Sequence, residues 1–464
     1  MINISLAEVA AAVGGRLIAA DPATRVTGPV EYDSRLVAPG GLFVAFPGEH
    51  ADGHDYAAAA HAAGAVAVLG TRPVPPGERP VPLILVDDAR EAMAALARAV
   101  VERLPNLTTV GLTGSSGKTT TKDMVAQLLT GLGRTVAPAG SLNNELGYPY
   151  TVLKAGTETR YLVLELGARG LGHIRYLCDI ARPRIGVVLN VGVAHLGEFG
   201  TVEAIAQAKG ELVEALPPRG LAVLNADDPR VRAMAGRTAA RVVLVGEAED
   251  AEVRATDVAL DERGRAAFTL VTPEGSAPVQ LAVTGRHQVG NALAAAAVAR
   301  EVGLPPDELA AGLGRLRLVS TRRMDVFDRA DGVTVIDDSY NANPASTAAA
   351  LRALAALARG RRGIAVLGYL AELGEYERAG HEEVGRLAAE LGVGLLIAVG
   401  APAAPIHDGA AAVASWGGKS VRVPDQEEAV ALLRGELRPG DVVLVKGSRY
   451  RTWAVADALR ESGA

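Results

Sequence analysis

Along most of the chain, short runs of β-branched and other apolar residues alternate with Ala/Leu-rich stretches of helical length. Runs at 162–164, 185–189, 222–224, 333–336, 364–367, 395–399 and 442–445 each lead into turn residues and then a helix-like segment. An unbroken apolar run of strand length marks a strand buried on both faces, so the pattern predicts parallel sheets with crossover helices. Stretch 251–283 breaks the rhythm. Its Val/Ala/Phe/Thr/Leu alternation predicts antiparallel strands forming a side sheet of a middle domain. A helical pattern over 89–102 stops at Arg103-Leu104-Pro105-Asn106, and an Ala-rich helix gives way near 312–320 to a basic Gly/Arg/Leu linker. These two breaks divide the α/β chain into domains 1–104, 105–313 and 314–464, each of ordinary domain size.

Composition narrows the class. The 464 residues are 49% apolar and 22% charged, enough to fill several cores and too apolar for a disordered chain. One cysteine, Cys178, leaves no internal disulfide and no cysteine-rich metal site. A formal charge of −6 without a long basic run argues against nucleic acid or an anionic membrane as partner. Residues 1–17 carry Glu8 where a secretory signal would be basic, and the apolar stretch 57–69 is interrupted by His61 and falls short of the ~18 residues of a membrane span. The expectation is a cytoplasmic protein. Positive charge is almost all arginine; the six lysines are Lys118, Lys122, Lys154, Lys209, Lys419 and Lys446, a hint that some of them mark sites needing an ammonium or an amine.

The clearest chemistry lies at Val110-Gly111-Leu112-Thr113-Gly114-Ser115-Ser116-Gly117-Lys118-Thr119-Thr120-Thr121, between a strand-like and a helix-like run. The string fits GxxGK[ST]; the longer GxxxxGK[ST] form fails because position 112 is leucine. Backbone N–H groups of such a turn, aimed with the helix N-terminus, can cradle phosphates; Lys118 can reach the β/γ-phosphates and Thr119 can ligate Mg²⁺. The competing reading is a Gly/Ser/Thr surface turn.

Three residues downstream are informative only together. Glu165 ends the run 161–164 and either ligates Mg²⁺ beside the phosphate loop or caps a helix. His195 lies just beyond another strand and is either a site residue or a satisfied turn histidine. Lys209 is expected near a helix C-terminus, where a lysine needs no further explanation.

These residues in this order resemble the Mur ligases, the ATP-dependent amide-forming enzymes of peptidoglycan precursor synthesis, over nearly the whole chain. The loop resembles the family's GxTGxxGKT, and Asn143-Asn144-Glu145-Leu146-Gly147-Tyr148-Pro149 its NNxxGxP segment. Gly285-Arg286-His287-Gln288-Val289-Gly290-Asn291-Ala292-Leu293 is similar to its HNxxNALAA segment. Asp337-Asp338-Ser339-Tyr340-Asn341-Ala342-Asn343-Pro344 resembles the DDSYNANP string of the members that add D-alanyl-D-alanine. Asp33-Ser34-Arg35, Gly48-Glu49 and Asp52-Gly53-His54-Asp55 resemble their UDP-substrate domain.

The resemblance implies a fold of a central parallel-sheet P-loop ATPase domain flanked by an N-terminal substrate domain and a Rossmann-like C-terminal domain. It also implies a reaction: UDP-N-acetylmuramoyl-tripeptide, D-alanyl-D-alanine and ATP give the pentapeptide, ADP and phosphate through an acyl phosphate. By the same resemblance Gly114, Ser115, Ser116, Gly117, Lys118, Thr119, Thr120, Asn291, Arg323 and Asp338 hold ATP. Lys118, His195, Lys209 and Arg323 serve catalysis. Thr119, Glu165, His195 and a carbamylated Lys209 hold two Mg²⁺ ions. Ser34, Arg35, Asn143 and Asn144 face the UDP-substrate, and Tyr340, Asn341 and Asn343 the acceptor dipeptide. A monomer is implied, with an open apo form that closes on its substrates. Gln288 stands where many relatives have asparagine, and Tyr369 where aspartate is common. A folylpolyglutamate synthetase-like ligase shares the ATP core, but its phosphate loop lies close to the N-terminus; a nucleotide-dependent switch module would not need the 338–344 string.

Overall fold

The computed structural model describes residues 2–48, 51–74, 80–193, 196–448 and 451–461. His195 and Glu49 lie outside the described residues. Three large sheets follow one another along the chain, with a small antiparallel pair, Ile4–Ser5 with Arg25–Val26, beside the first.

The first sheet has five strands in the order Arg16–Ile18, Leu83–Leu85, Ala67–Gly70, Leu42–Val44 and Val30–Glu31, parallel except at its Arg16–Ile18 edge. The second has nine. Its parallel body runs Thr135–Val136, Tyr161–Glu165, Thr108–Thr113, Ile185–Val188, Leu221–Asn225, Arg241–Gly246. Thr108–Thr113 comes first in this part of the chain yet sits between two later strands. Chain connections therefore leave it in opposite directions, and a crevice opens at the C-terminal strand ends, where such sheets take ligands.

The stretch expected as a side sheet is instead continuous with this one. Val253–Leu260 pairs with the tip of Arg241–Gly246, and Arg265–Thr272 and Gly275–Thr284 follow as an antiparallel meander. The cause is the core. The alternate residues Val253, Ala255, Phe268, Leu270, Val279 and Leu281 are buried in the same apolar cluster as the helices Gln288–Glu301 and Pro306–Gly314.

The third sheet has the order Asp325–Asp328, Thr334–Asp337, Val442–Lys446, Gly363–Leu367, Leu395–Val399, Lys419–Val423, parallel after its first strand. Its strands Gly363–Leu367, Leu395–Val399 and Val442–Lys446 are buried throughout, as their unbroken apolar runs require. The last strand of the chain thus lands in mid-sheet, beside Thr334–Asp337.

Candidate functional site at the phosphate loop

Two local features shape the loop. Gly117 has φ +79°, and a Cβ there would meet Asn291 Oδ1 at 2.6 Å, so only glycine fits. Asn190, at the end of the neighbouring strand, ties the turn down: its Oδ1 accepts from Ser116 N at 2.9 Å and its backbone O from Ser115 N at 3.1 Å. The helix Lys118–Thr130 starts immediately after. Lys118 Nζ donates to Gly114 O at 2.8 Å. Burial of the ammonium pulls the Lys118 pKa down, Glu165 opposes this, Arg323 adds to it, and Glu372 opposes it.

Glu165 is buried at the end of Tyr161–Glu165. One carboxylate oxygen accepts from Thr119 Oγ1 at 2.9 Å; the other accepts from Ser141 Oγ at 2.8 Å and Asn143 Nδ2 at 2.7 Å. A hydroxyl and a carboxylate held together are hard oxygen donors of the kind Mg²⁺ takes, so these residues fit that ion. Asn143 is thereby joined to the acid; Asn144 Oδ1 instead accepts from Gly147 N at 2.8 Å and holds its own turn. Both line, with Lys118 and Glu145, a cavity of about 100 Å³.

On the opposite side of the loop, Thr120, Asn190, Asn291, Arg323, Asp338 and Lys446 line a second cavity of about 120 Å³. Asn291 Nδ2 donates to Gln288 Oε1 at 2.8 Å, so glutamine keeps a partner for Asn291 here. Larger cavities of about 570 and 750 Å³ lie elsewhere, one between the antiparallel meander and the third sheet and one beside the helix Pro306–Gly314. Neither holds the phosphate loop, and size does not mark the chemistry here.

Lys209 lies in mid-helix, within Val202–Glu214, and not near its C-terminus. It is buried, and its ammonium forms no hydrogen bond or ion pair with another described residue. Burial, and then the Lys118 charge, holds its pKa well below that of an ordinary lysine.

The third sheet delivers the remaining groups. Arg323 reaches across to the loop, Nη2 to Thr119 Oγ1 at 3.4 Å, with its guanidinium 4.2 Å from the Tyr340 ring. Asp338 is buried, accepts from Met324 N at 3.1 Å, and pairs with the buried ammonium of Lys446. Lys446 also donates to Asn341 O at 3.0 Å. Asn343 caps the helix Pro344–Ala358: its Oδ1 accepts from Ser346 N at 2.9 Å, and Pro344 takes the first helical position. Its Nδ2 reaches Ser115 O at 3.4 Å. Both ends of that amide are engaged, whereas Tyr340 remains 44% exposed. Tyr369 hydrogen-bonds Glu377 Oε2 at 2.6 Å.

Ser34 and Arg35 sit on a short helical turn in the first domain, with Arg35 ion-paired to Asp33 at 2.6 Å and its side chain 86% exposed. Sequence reasoning did not assign Lys446, Asn190 or Ser141. The lysine count was the only signal for the first, since its role depends on where the last strand inserts.

Models of three families match consecutive parts of the chain. "Mur ligase family, catalytic domain" matches residues 15–100, "Mur ligase middle domain" 112–299, and "Mur ligase, glutamate ligase domain" 322–449. The chain belongs to the Mur ligase family. Within it, the chain is 51% identical to the UDP-N-acetylmuramoyl-tripeptide--D-alanyl-D-alanine ligase of Mycobacterium tuberculosis strain H37Rv, covering 99% of this chain and 98% of the relative. It is 36% identical to the Escherichia coli K12 enzyme of that name over the full length of both. Among solved structures, MurF from Acinetobacter baumannii superposes with a TM-score of 0.88 at 32% identity, covering 99% of each chain. MurF ligase from Thermotoga maritima in complex with ADP gives 0.80 at 30%, covering 94% of this chain and 98% of that one.

Proposed function

We propose that the chain joins D-alanyl-D-alanine to UDP-N-acetylmuramoyl-tripeptide at the expense of ATP. Its segments 1–104, 105–313 and 314–464 would serve the UDP-substrate, ATP and the acceptor dipeptide respectively. The observation that carries this reading is the convergence of Lys118, Thr119 and Glu165 from the second sheet with Arg323 from the third, in a chain half identical to ligases of that name.

A carboxylate is a poor electrophile and must be activated. Its oxygen attacks the γ-phosphorus of ATP, ADP departs, and an acyl phosphate results. The dipeptide's neutral amine then attacks the carbonyl carbon; phosphate leaves and the nitrogen gives up a proton. The first transfer depends mainly on positioning and charge stabilisation. Lys118 and Arg323 supply fixed positive charge on two sides of the transferring group, and the loop N–H groups orient it. Thr119 and Glu165 are the residues that would hold Mg²⁺, which when bound neutralises phosphate charge. Enclosure of the loop by Arg323 and Asn343 shields a hydrolysable intermediate from water.

Lys209 is carbamylated in this reading. Its support is a buried amine whose charged form is disfavoured by burial and then by the Lys118 charge: an amine so placed takes up CO₂ in its neutral form, and the resulting anion suits a site for a second Mg²⁺, as a bare ammonium would not. The enzyme would act as a cytoplasmic monomer; no helix among the described residues is long and apolar enough to cross a membrane.

The test is phosphate release from ATP with Mg²⁺, each substrate added alone and then together. Release that needs both, with a product heavier by one dipeptide, is expected. Release indifferent to both, or dependent on a folate and glutamate, would overturn the reading.

A further inference from the structure

The segment joining the second and third sheets does not merely span a gap. It lies along the phosphate-loop helix in register. Thr119, Asp123 and Gln127 are four residues apart on Lys118–Thr130 and so share one face. Gln127 grips Arg317 through both backbone groups: its Nε2 donates to Arg317 O at 3.0 Å and its Oε1 accepts from Arg317 N at 3.0 Å. Asp123 Oδ2 accepts from Ser320 N at 3.2 Å. Arg323 completes the series at Thr119. Rising through 317, 320 and 323 on the linker matches falling through 127, 123 and 119 on the helix.

The rows are anchored at both ends. Lys122, buried, pairs with Asp123 at 2.5 Å and donates to Pro138 O at 2.7 Å, which fixes the central carboxylate. Beyond the linker, Arg322 bonds Asp457 at 3.1 Å and Met324 N donates to Asp338. Arg322 and Met324 have φ of +59° and +54°, a conformation that side-chain-bearing residues keep only when their surroundings hold them. Arg323 is therefore presented from a backbone set on either side of it.

We propose that Gln127 and Asp123 are positioning residues: they lay the linker antiparallel on the phosphate-loop helix so that Arg323 arrives over Thr119. The helix that opens at Lys118 thus also sets the place of the charge contributed by the third domain. This inference rests on the reading of Arg323 as a phosphate-facing group.

The experiment is a double-mutant cycle on Gln127 and Arg323 in the full-length enzyme, scored by single-turnover product formation, KM for ATP and thermal unfolding. Gln127→Ala is expected to lower kcat about tenfold, because a small misplacement far from the reacting atoms is amplified in rate. KM for ATP and the unfolding midpoint should stay near wild type, since Gln127 touches neither nucleotide nor core. Gln127→Glu keeps the acceptor for Arg317 N–H and loses the donor, so it should fall between. In an Arg323→Ala background Gln127→Ala should add little, the two acting through one group. A wild-type kcat in Gln127→Ala overturns the proposal, as does an equal tenfold loss in both backgrounds or a loss that merely tracks early melting. Wild-type kcat in Arg323→Ala would instead remove the Arg323 reading, and the clamp with it.

Discussion

Two seams join the three sheets, and they are built from opposite materials. Between the first and second sheets one buried apolar cluster runs without interruption. It contains Leu96, Ala97 and Val100 of the helix Ala89–Glu102 together with Tyr148, Ile174 and Leu177 from the second domain. Between the second and third, the buried apolar clusters of the third sheet draw only on residues from 324 onward. That seam is crossed by polar contacts: Arg323 to Thr119, Asn343 to Ser115, Gln127 to Arg317, Gly197 N to Glu372 O at 3.0 Å, and Arg359 Nη2 to Leu260 O at 2.9 Å.

The difference is one of reversibility. Hydrogen bonds at a seam exchange for bonds to water at a net ~1 kcal/mol each, whereas an apolar seam must expose its area to open. The expectation is that the first and second domains move as one frame while the third leaves and returns. An enzyme that must admit a nucleotide and then exclude water needs one seam of each kind.

Mutation should separate the two seams: polar-seam changes alter rate, apolar-seam changes alter stability. Arg323→Ala should give the largest effect, a fall in kcat of about 10³, equivalent to ~4 kcal/mol of transition-state stabilisation. Its urea midpoint should hardly move, because the guanidinium supports no core. A clear loss of stability with modest loss of rate would break the contrast. Leu96→Ala should do the reverse, with a destabilisation of about 3 kcal/mol from lost burial and the cavity left behind, read from the urea midpoint. Folded Leu96→Ala should turn over normally; a kcat defect at full folding would show that this seam moves in the cycle.

Acid provides a subtler separation. His381 is buried in the third domain; its Nε2 accepts from Leu370 N at 3.0 Å and its Nδ1 faces Glu377 O at 2.7 Å. Burial lowers its pKa, partly offset by Glu377. Below the ordinary histidine pKa the unfolded chain therefore binds protons that the folded chain does not. Stability is fully present above that pKa and should be lost as pH falls below it, by at most ~1.4 kcal/mol per unit for this histidine. Unfolding at pH 7.5, 6.5 and 5.5 tests this, and His381→Asn should flatten the slope. A slope of opposite sign, or one indifferent to His381, would count against it.

How much of this was legible in the chain depends on where each constraint sits. The strands of the parallel sheets were legible because burial on both faces leaves an uninterrupted apolar run. The phosphate loop was legible because its glycines, lysine and threonine are contiguous. The meander was read as antiparallel correctly, but alternation says nothing about which edge a strand joins, so its continuity with the central sheet was not. Lys209 was expected too near a helix end, because the sequence alone does not state how far packing carries the helix, which runs on to Glu214. Lys446 and Asn190 act on groups more than seventy positions away, through a strand order the sequence does not state. The clamp of Gln127 on Arg317 is hidden for the same reason. Its pattern becomes visible only when linker and helix are laid side by side.

The smallest effect sharpens the comparison most, because it tests a polar contact inside the apolar seam. Tyr150 Oη donates to Glu31 Oε2 at 2.7 Å, joining the first sheet to the second domain. Burial first, and then the hydrogen bond to Glu31, raises the tyrosine pKa, so the hydroxyl stays protonated through the physiological range. The ring is held independently, edge-on to Tyr32 at 4.9 Å between centroids and beneath Lys154 Nζ at 4.3 Å. Tyr150→Phe keeps those contacts and deletes only the bond. At a half-buried site a hydrogen bond to a carboxylate should contribute about 1 kcal/mol to unfolding, with no change in kcat. A cycle with Glu31→Gln isolates the pairwise part. If Tyr150→Phe instead slowed turnover at unchanged stability, this contact would belong with the polar seam, and the frame formed by the first two domains would not be rigid.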